Sequence, residues 1–192
     1  LKGYQNKEEL AKEWSPSVGK TSLFTLKKEI FNMSPWKLEK TEVPLIIRIT
    51  ENPDYDIGLF PGAVSLYAHD CIHILLGRGV LPKDEAFVIG FTMGSTGKVT
   101  PSKERIFCTI AKHLYPEGYK FTDEELSVYK MGLCLARNMG CKDLSRTNFK
   151  KYTNYRIPTI RKRLGIDLKT LRYYYYLEKQ MFPDSPESQR LI

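Results

Sequence analysis

What this chain lacks narrows its class before any motif is considered. No apolar run reaches the roughly 18–20 residues that cross a bilayer as a helix, because Lys, Arg, Asp or Glu interrupts every stretch. Any membrane contact expected from sequence is therefore peripheral. Cysteine is scarce: Cys71, Cys108, Cys134 and Cys141 contain no C-x-x-C pair and no small-scaffold spacing. That pattern argues against a disulfide framework and for reduced thiols in a cytosol-like or matrix-like compartment. The opening Leu1-Lys2-Gly3-Tyr4 has no Met and no Arg- and Ser-rich transit character, so an upstream boundary or processing step is expected there. There is no internal repeat, and the one low-complexity tract is Tyr173-Tyr174-Tyr175-Tyr176.

What is present is ordinary for a globular chain. Hydrophobic residues make up 42% and charged residues 27% of 192, which sets aside disorder and fits one domain over 1–192. Residues 1–5 and 183–192 are expected to be flexible. Apolar residues recur at helical spacing in 6–14, in 22–33 (Leu23, Leu26, Ile30, Phe31) and in 60–76 (Val64, Ala68, Cys71, Ile72, Leu75). Pro101 suits a first helical turn, and Thr122 with Glu125 forms a capping box before Leu126 and Tyr129. Pro158 opens a further helix, Gly165 stops it, and Asp167 caps the last one. Strand character is confined to 43–50, where Pro44 interrupts it. The expectation is an all-α, single-domain helical bundle.

Two of only three histidines fall in His69-Asp70-Cys71-Ile72-His73, in the middle of an expected helix. At about 3.6 residues per turn both imidazoles share one face, with Asp70 beside it to coordinate or to orient a ring. After Leu75-Leu76-Gly77-Arg78-Gly79 the chain can reverse, and Pro82-Lys83-Asp84-Glu85 reads as the first turn of the next helix, from which Glu85 can point back. Two imidazoles with one or two carboxylates suit zinc first, and also iron or manganese, with a position open to water or substrate. The bland alternative, a His69–Asp70 pair satisfying itself near the surface, loses ground once Glu85 is included. Other motifs fail on residue identity. Gly19-Lys20-Thr21 ends like a phosphate loop, but the required first glycine is Trp14. H-E-x-x-H peptidases need Glu where Asp70 stands, and His113, the third histidine, lies on the wrong side of the pair for a His-Asp phosphohydrolase.

The arrangement His69-Asp70-x-x-His73, eleven residues, Glu85 resembles the signature of the coenzyme Q (ubiquinone) biosynthesis protein four family. Leu75-Leu76-Gly77 directly after the second histidine strengthens the likeness. So does Arg161-Lys162-Arg163-Leu164-Gly165-Ile166, similar to a basic helix ending in Leu-Gly-Ile near that family's C-terminus. The resemblance spans at least residues 60–168. It implies an all-helical, peripheral membrane protein that removes the C1 carboxylate of a polyprenylated hydroxybenzoate and installs a hydroxyl, assembled with other quinone-biosynthesis proteins. On that reading His69, Asp70, His73 and Glu85 are the metal and catalytic residues. Iron would allow oxygen chemistry at the open positions, whereas zinc would supply Lewis acidity with the oxidant coming from elsewhere. The runner-up is a non-catalytic metal-containing scaffold that binds an isoprenoid lipid for the same complex; a homodimer is left open.

Charge supplies a second expectation. The net charge is +8, and residues 142–172 hold ten Lys or Arg against two Asp, leaving twenty of each sign elsewhere. Arg146, Lys150, Lys151, Arg156, Arg161, Lys162 and Arg163 are read as an anionic-surface-binding set. An anionic membrane explains them if nearby apolar side chains dip into the interface. A nucleic-acid module, with Phe149, Tyr152 and Tyr155 stacking between cations, is the more remote reading.

Overall fold

The computed structural model describes residues 16–33 and 60–192; the expected helix at 6–14 and the strand-like 43–50 lie outside them. Among the described residues there are nine α-helices and no strand, the nearest approach to one being a lone antiparallel bridge between Thr25 and Arg156. The all-α expectation holds. No helix of the described residues is long and apolar enough to cross a membrane.

In chain order the helices are α1 (Val18–Thr21), α2 (Leu26–Met33), α3 (Leu66–Leu76), α4 (Pro82–Ser95), α5 (Pro101–His113), α6 (Asp123–Met139), α7 (Ile157–Leu164), α8 (Leu168–Met181) and α9 (Pro186–Gln189). Several boundaries follow from capping chemistry visible in the sequence. Thr122 donates its backbone N–H to Glu125 Oε2 at 2.6 Å, completing the box at the start of α6. Gly165 takes φ 75° at the end of α7, and Asp167 accepts from the Thr170 N–H at 2.7 Å to start α8. Two boundaries differ from expectation. α3 begins at Leu66 rather than near 60, because Gly62 turns the chain at φ 110° and Ser65 accepts from the Ala68 N–H at 3.3 Å as N-cap. The 22–33 segment is helical only from Leu26, since Thr25 is drawn into the bridge with Arg156; Leu23 and Phe31, expected on the buried stripe, are 66% and 68% exposed.

α4 is the centre of the molecule. Every residue from Lys83 to Ser95 is buried except Glu85; beyond the charged first turn the helix is mostly apolar on all sides, as a walled-in helix must be, and its Thr92 and Ser95 hydroxyls donate to the Val88 and Thr92 carbonyls at 2.7 Å each. Phe87, Val88 and Phe91 join a core with α2, α3, α7 and α8, while Ala86, Ile89 and Met93 join a second core with Phe60, Phe107, Phe121 and Tyr129. The two cores meet through α4. Its contact with α6 is made by glycine: a Cβ on Gly90 would collide with the Tyr129 carbonyl, one on Gly94 with the Leu133 carbonyl, and one on Gly132 would stand 2.5 Å from the Phe87 carbonyl oxygen. Because Gly90 faces Tyr129 and Gly94, one turn on, faces Leu133, the two helices run in the same direction with their backbones almost touching.

The last ten residues, expected to be a flexible tail, are packed. Ser188 and Leu191 are fully buried, and the Lys83 N–H donates to Glu187 Oε2 at 3.1 Å. A polar, proline-bearing composition made this segment look like a loop, but Leu191 supplies an anchor in the main core.

Gly90→Ala is expected to cost about 1–3 kcal/mol, the range for forcing an extra carbon into a packed core, because the obstacle is a helix backbone and not a movable side chain. Urea unfolding compared with Gly19→Ala, a helical glycine without a positive φ where an added Cβ meets nothing nearer than Ser17 Oγ at 3.7 Å, checks this; equal losses would contradict it.

Candidate metal centre

α3 presents His69 and His73 one turn apart and ends at Gly77, which adopts φ 67° as a left-handed cap. The Arg78 N–H donates back to the His73 carbonyl at 2.9 Å, closing the helix end. A Cβ at Gly77 would lie 2.5 Å from the Val18 nitrogen, so both the turn and the contact with α1 require glycine. Five residues after Gly77, Pro82 starts α4. Its first turn is fixed by Asp84, which accepts from the Leu81 N–H at 3.2 Å, and by the Glu85 N–H donating to the Leu81 carbonyl at 3.0 Å. Glu85 is thereby turned back over α3.

The result is a convergence of three ligand-type atoms. Glu85 Oε2 stands 3.5 Å from His69 Nε2 and 3.4 Å from His73 Nε2, and the three lie within 4.8 Å of one another. Ligands at about 2.0–2.1 Å from a tetrahedral ion are about 3.4 Å apart, which both Glu85–imidazole spacings match, while the 4.8 Å bound on the set is wider and asks the two imidazoles to close onto a shared cation. Both Nε2 atoms are buried without a well-formed hydrogen bond, an expensive condition for a polar atom and one that an ion would relieve. His73 Nδ1 lies 2.6 Å from the Gly79 carbonyl oxygen. A carbonyl only accepts, so Nδ1 carries the proton and Nε2 is the atom turned toward Glu85.

Burial and charge divide the two imidazoles. His69 is pushed below the ordinary histidine pKa by burial and by His73. Burial also pulls His73 down, but the carboxylates of Glu85, Asp84 and Asp70 outweigh it and the net shift is upward. The two imidazoles are therefore pulled in opposite directions, His69 by burial and His73 by the carboxylates around it. The side chains of His69 and Glu85 are 20% and 32% exposed against 1% for His73, so the centre is closed behind His73 and open to solvent in front.

Of the four expected ligands, the structure brings together His69, His73 and Glu85. Asp70 is outside that triad, though near enough for its charge to raise both imidazoles. His113 is the exposed last residue of α5 and takes no part.

Beneath the centre lies a buried charged floor that sequence reasoning missed. Arg78 is fully buried, donates to Glu178 Oε1 at 3.0 Å and pairs with Glu178 Oε2 as well, and lies 3.9 and 4.4 Å from the Phe87 and Tyr175 ring centres. Tyr175 donates to the Leu76 carbonyl at 2.7 Å. An arginine between two glycines, directly after the histidine helix, was the available signal: it places one large cation in a reversal too tight for other side chains.

The basic segment divides. Arg146, Lys150, Lys151, Arg156, Lys162 and Arg163 are exposed. Arg161, assigned to the same surface, is 2% exposed and is corrected here to a structural residue. It donates to the Leu75 carbonyl at 2.7 Å, the Val18 carbonyl at 3.2 Å, Ser22 Oγ at 2.6 Å and Thr21 Oγ1 at 2.8 Å, tying α7 to the ends of α1 and α3. Burial lowers its guanidinium pKa to about 10.

Comparison of the chain with family models, with curated proteins and with solved structures finds no match. The triad's geometry therefore stands on its own.

Burial, reinforced by Asp84, raises the Glu187 carboxyl from 4.5 to about 7. The folded state then keeps a proton that the unfolded chain has already lost, so this group's contribution is full below about pH 4.5 and fades as pH rises to about 7. Glu187→Gln should be more favourable relative to wild type at pH 8 than at pH 5 in urea unfolding. A pH-independent difference would contradict the shift.

Proposed function

We propose that this chain is a metal-dependent protein of ubiquinone biosynthesis, acting in the oxidative decarboxylation of a polyprenylated hydroxybenzoate, with zinc the preferred ion at His69, His73 and Glu85. The observation that carries the reading is the meeting of the three side chains of the His69-x-x-x-His73, eleven residues, Glu85 pattern, their ligand atoms within 4.8 Å of one another and Glu85 3.4–3.5 Å from both imidazoles. The overall change is balanced if dioxygen and an external two-electron donor take part. The ring carboxylic acid, dioxygen, two protons and two electrons give the phenol, carbon dioxide and water. A divalent ion held by the triad supplies Lewis acidity to a carboxylate or phenolic oxygen. The protein's own part is positional: His73 is held by Gly79, Glu85 is aimed by the first turn of α4, and the closed wall behind His73 leaves one side for a substrate.

Protein purified without added metal should carry about one divalent ion per chain by elemental analysis, and His73→Ala should lose it. Because His73 is raised above its ordinary value of 6.5, a proton competes with the ion already near neutrality, so affinity should fall as pH is lowered through that range. Metal-free wild type, or binding indifferent to His73, would remove the metal reading. Where metal is retained, Glu85→Ala with undiminished turnover of a prenylated hydroxybenzoate would remove the catalytic role and leave the lipid-binding scaffold.

Peripheral attachment to an anionic membrane, the second part of this reading, is supported by the neighbours of the basic segment. Exposed Leu23 and Phe24 adjoin it, since the Ile157 N–H donates to the Phe24 carbonyl at 3.1 Å, and Arg163 sits 4.4 Å from the exposed Tyr155 ring. Cations interleaved with exposed apolar side chains suit a lipid interface. Sedimentation with phosphatidylserine vesicles should be salt-sensitive and reduced at least several-fold by Lys150→Glu with Arg156→Glu. Binding to an oligonucleotide but not to vesicles would favour the nucleic-acid reading instead.

A further inference from the structure

The C-terminal segment reaches the metal centre from behind. Arg190 is ion-paired to Asp84 Oδ2, whose carboxylate is fully buried and also accepts from the Leu81 N–H at 3.2 Å. Asp84 Oδ1 stands 3.8 Å from Arg78 Nη1, so one carboxylate is shared between two cations. Gly79 lies directly against this pair: a Cβ there would come within 2.9 Å of both Arg190 Nη1 and Asp84 Oδ2. Gly79 is the residue whose carbonyl holds His73 Nδ1, and Asp84 is the immediate neighbour of Glu85. Two of the three triad members are therefore linked to a single guanidinium through one intervening residue each, His73 through Gly79 and Glu85 through Asp84.

We infer that Arg190 is a positioning residue for the triad, the juxtaposition of its guanidinium with Asp84 and Gly79 fixing where the His73 ring and the Glu85 carboxylate stand. This rests on the triad being a metal site. The physical reasoning is one of competition. With Arg190 removed, the remaining cation beside Asp84 is Arg78, on the side away from Leu81. The carboxylate is then drawn toward Arg78, weakening the Leu81 hydrogen bond that sets the first turn of α4. The space left beside Gly79 lets the 77–81 turn relax, lengthening the Gly79–His73 contact. Neither movement alters what the ligands are; both alter where they are, and partners behind metal ligands are worth about 10–100-fold in metal affinity. The segment is also fixed independently of Arg190, by Leu191 in the main core and by Ser188, whose Oγ donates to Glu178 Oε1 at 3.0 Å. Its packing and its effect on the site can therefore be separated.

The test uses the full chain, stripped of metal and titrated with Co2+, whose visible absorption reports ligand number and geometry. Arg190→Ala is expected to weaken Co2+ binding about 10–100-fold and to change the visible spectrum. Arg190→Lys, which keeps the charge without the planar fork, should recover part of both and covers the case in which the alanine variant fails to fold. Leu191→Ala removes packing from the same segment; it should lower Tm while leaving Co2+ affinity and spectrum as in wild type. Co2+ binding by the Arg190 variants indistinguishable from wild type would overturn the inference and spare the metal reading, as would equal weakening by Leu191→Ala. If wild type itself binds no Co2+, the metal reading fails, and positioning is read from the ring NMR of His73 in the ion-free chain. Loss or weakening of its hydrogen-bonded Nδ1–H signal in Arg190→Ala, partly restored in Arg190→Lys, supports the inference, and an unchanged signal in Arg190→Ala overturns it.

Discussion

The reversal between α3 and α4 is the constraint on which the rest of this structure depends. Within five residues the chain must close one helix, turn through a left-handed glycine and open another so that Glu85 returns to the two histidines it left behind. Gly77 and Asp84 cap the two ends of the turn locally, but its middle must be held from elsewhere. Arg78 anchors that middle in the core, where Glu178 meets the guanidinium's charge and Phe87 and Tyr175 flank its plane. Burying that cation would be prohibitive without those partners. With them, the turn that carries the Gly79 carbonyl to His73 has no freedom to drift.

Fold and site are coupled most directly through α4. The helix that delivers Glu85 at its first turn is also the shared wall of both apolar cores, and its axis is set by glycines lying against the backbone of α6. A helix pinned along its length places its first turn to within the small tolerance a metal site demands. The same economy explains the location of the polar residues. Asp84, Glu178 and Arg78 are fully buried, yet each has an opposite charge nearby, so the interior under the site is ionic without carrying uncompensated charge.

Much of this was legible in sequence where a local rule fixes the outcome. Thr122 with Glu125, Gly165 with Asp167, and Pro101 mark helix ends because the cap's hydrogen bonds are made within a few residues, and the structure has them there. The histidine pair and Glu85 were legible for a related reason: helical spacing puts His69 and His73 together, and a short reversal returns Glu85. What escaped depended on distant partners. Arg161 sits in a run of cations and reads as surface, yet its oxygen acceptors are Leu75 and residues 18–22, far away along the chain. The Arg190–Asp84 pair joins residues that no periodicity connects, and the tail's burial turns on Leu191 finding a core built elsewhere. Gly90, Gly94 and Gly132 were ambiguous for the same reason, since a glycine signals close approach only once the approaching backbone is known.

A crystal structure of the zinc-soaked protein, with data collected on both sides of the zinc absorption edge, addresses the central claim most directly. The account predicts a single strong anomalous peak bonded at about 2.0–2.2 Å to His69 Nε2, His73 Nε2 and a Glu85 oxygen, with the ring of His73 still held by the Gly79 carbonyl. A peak elsewhere, or Glu85 directed away from both imidazoles with zinc present, would contradict it.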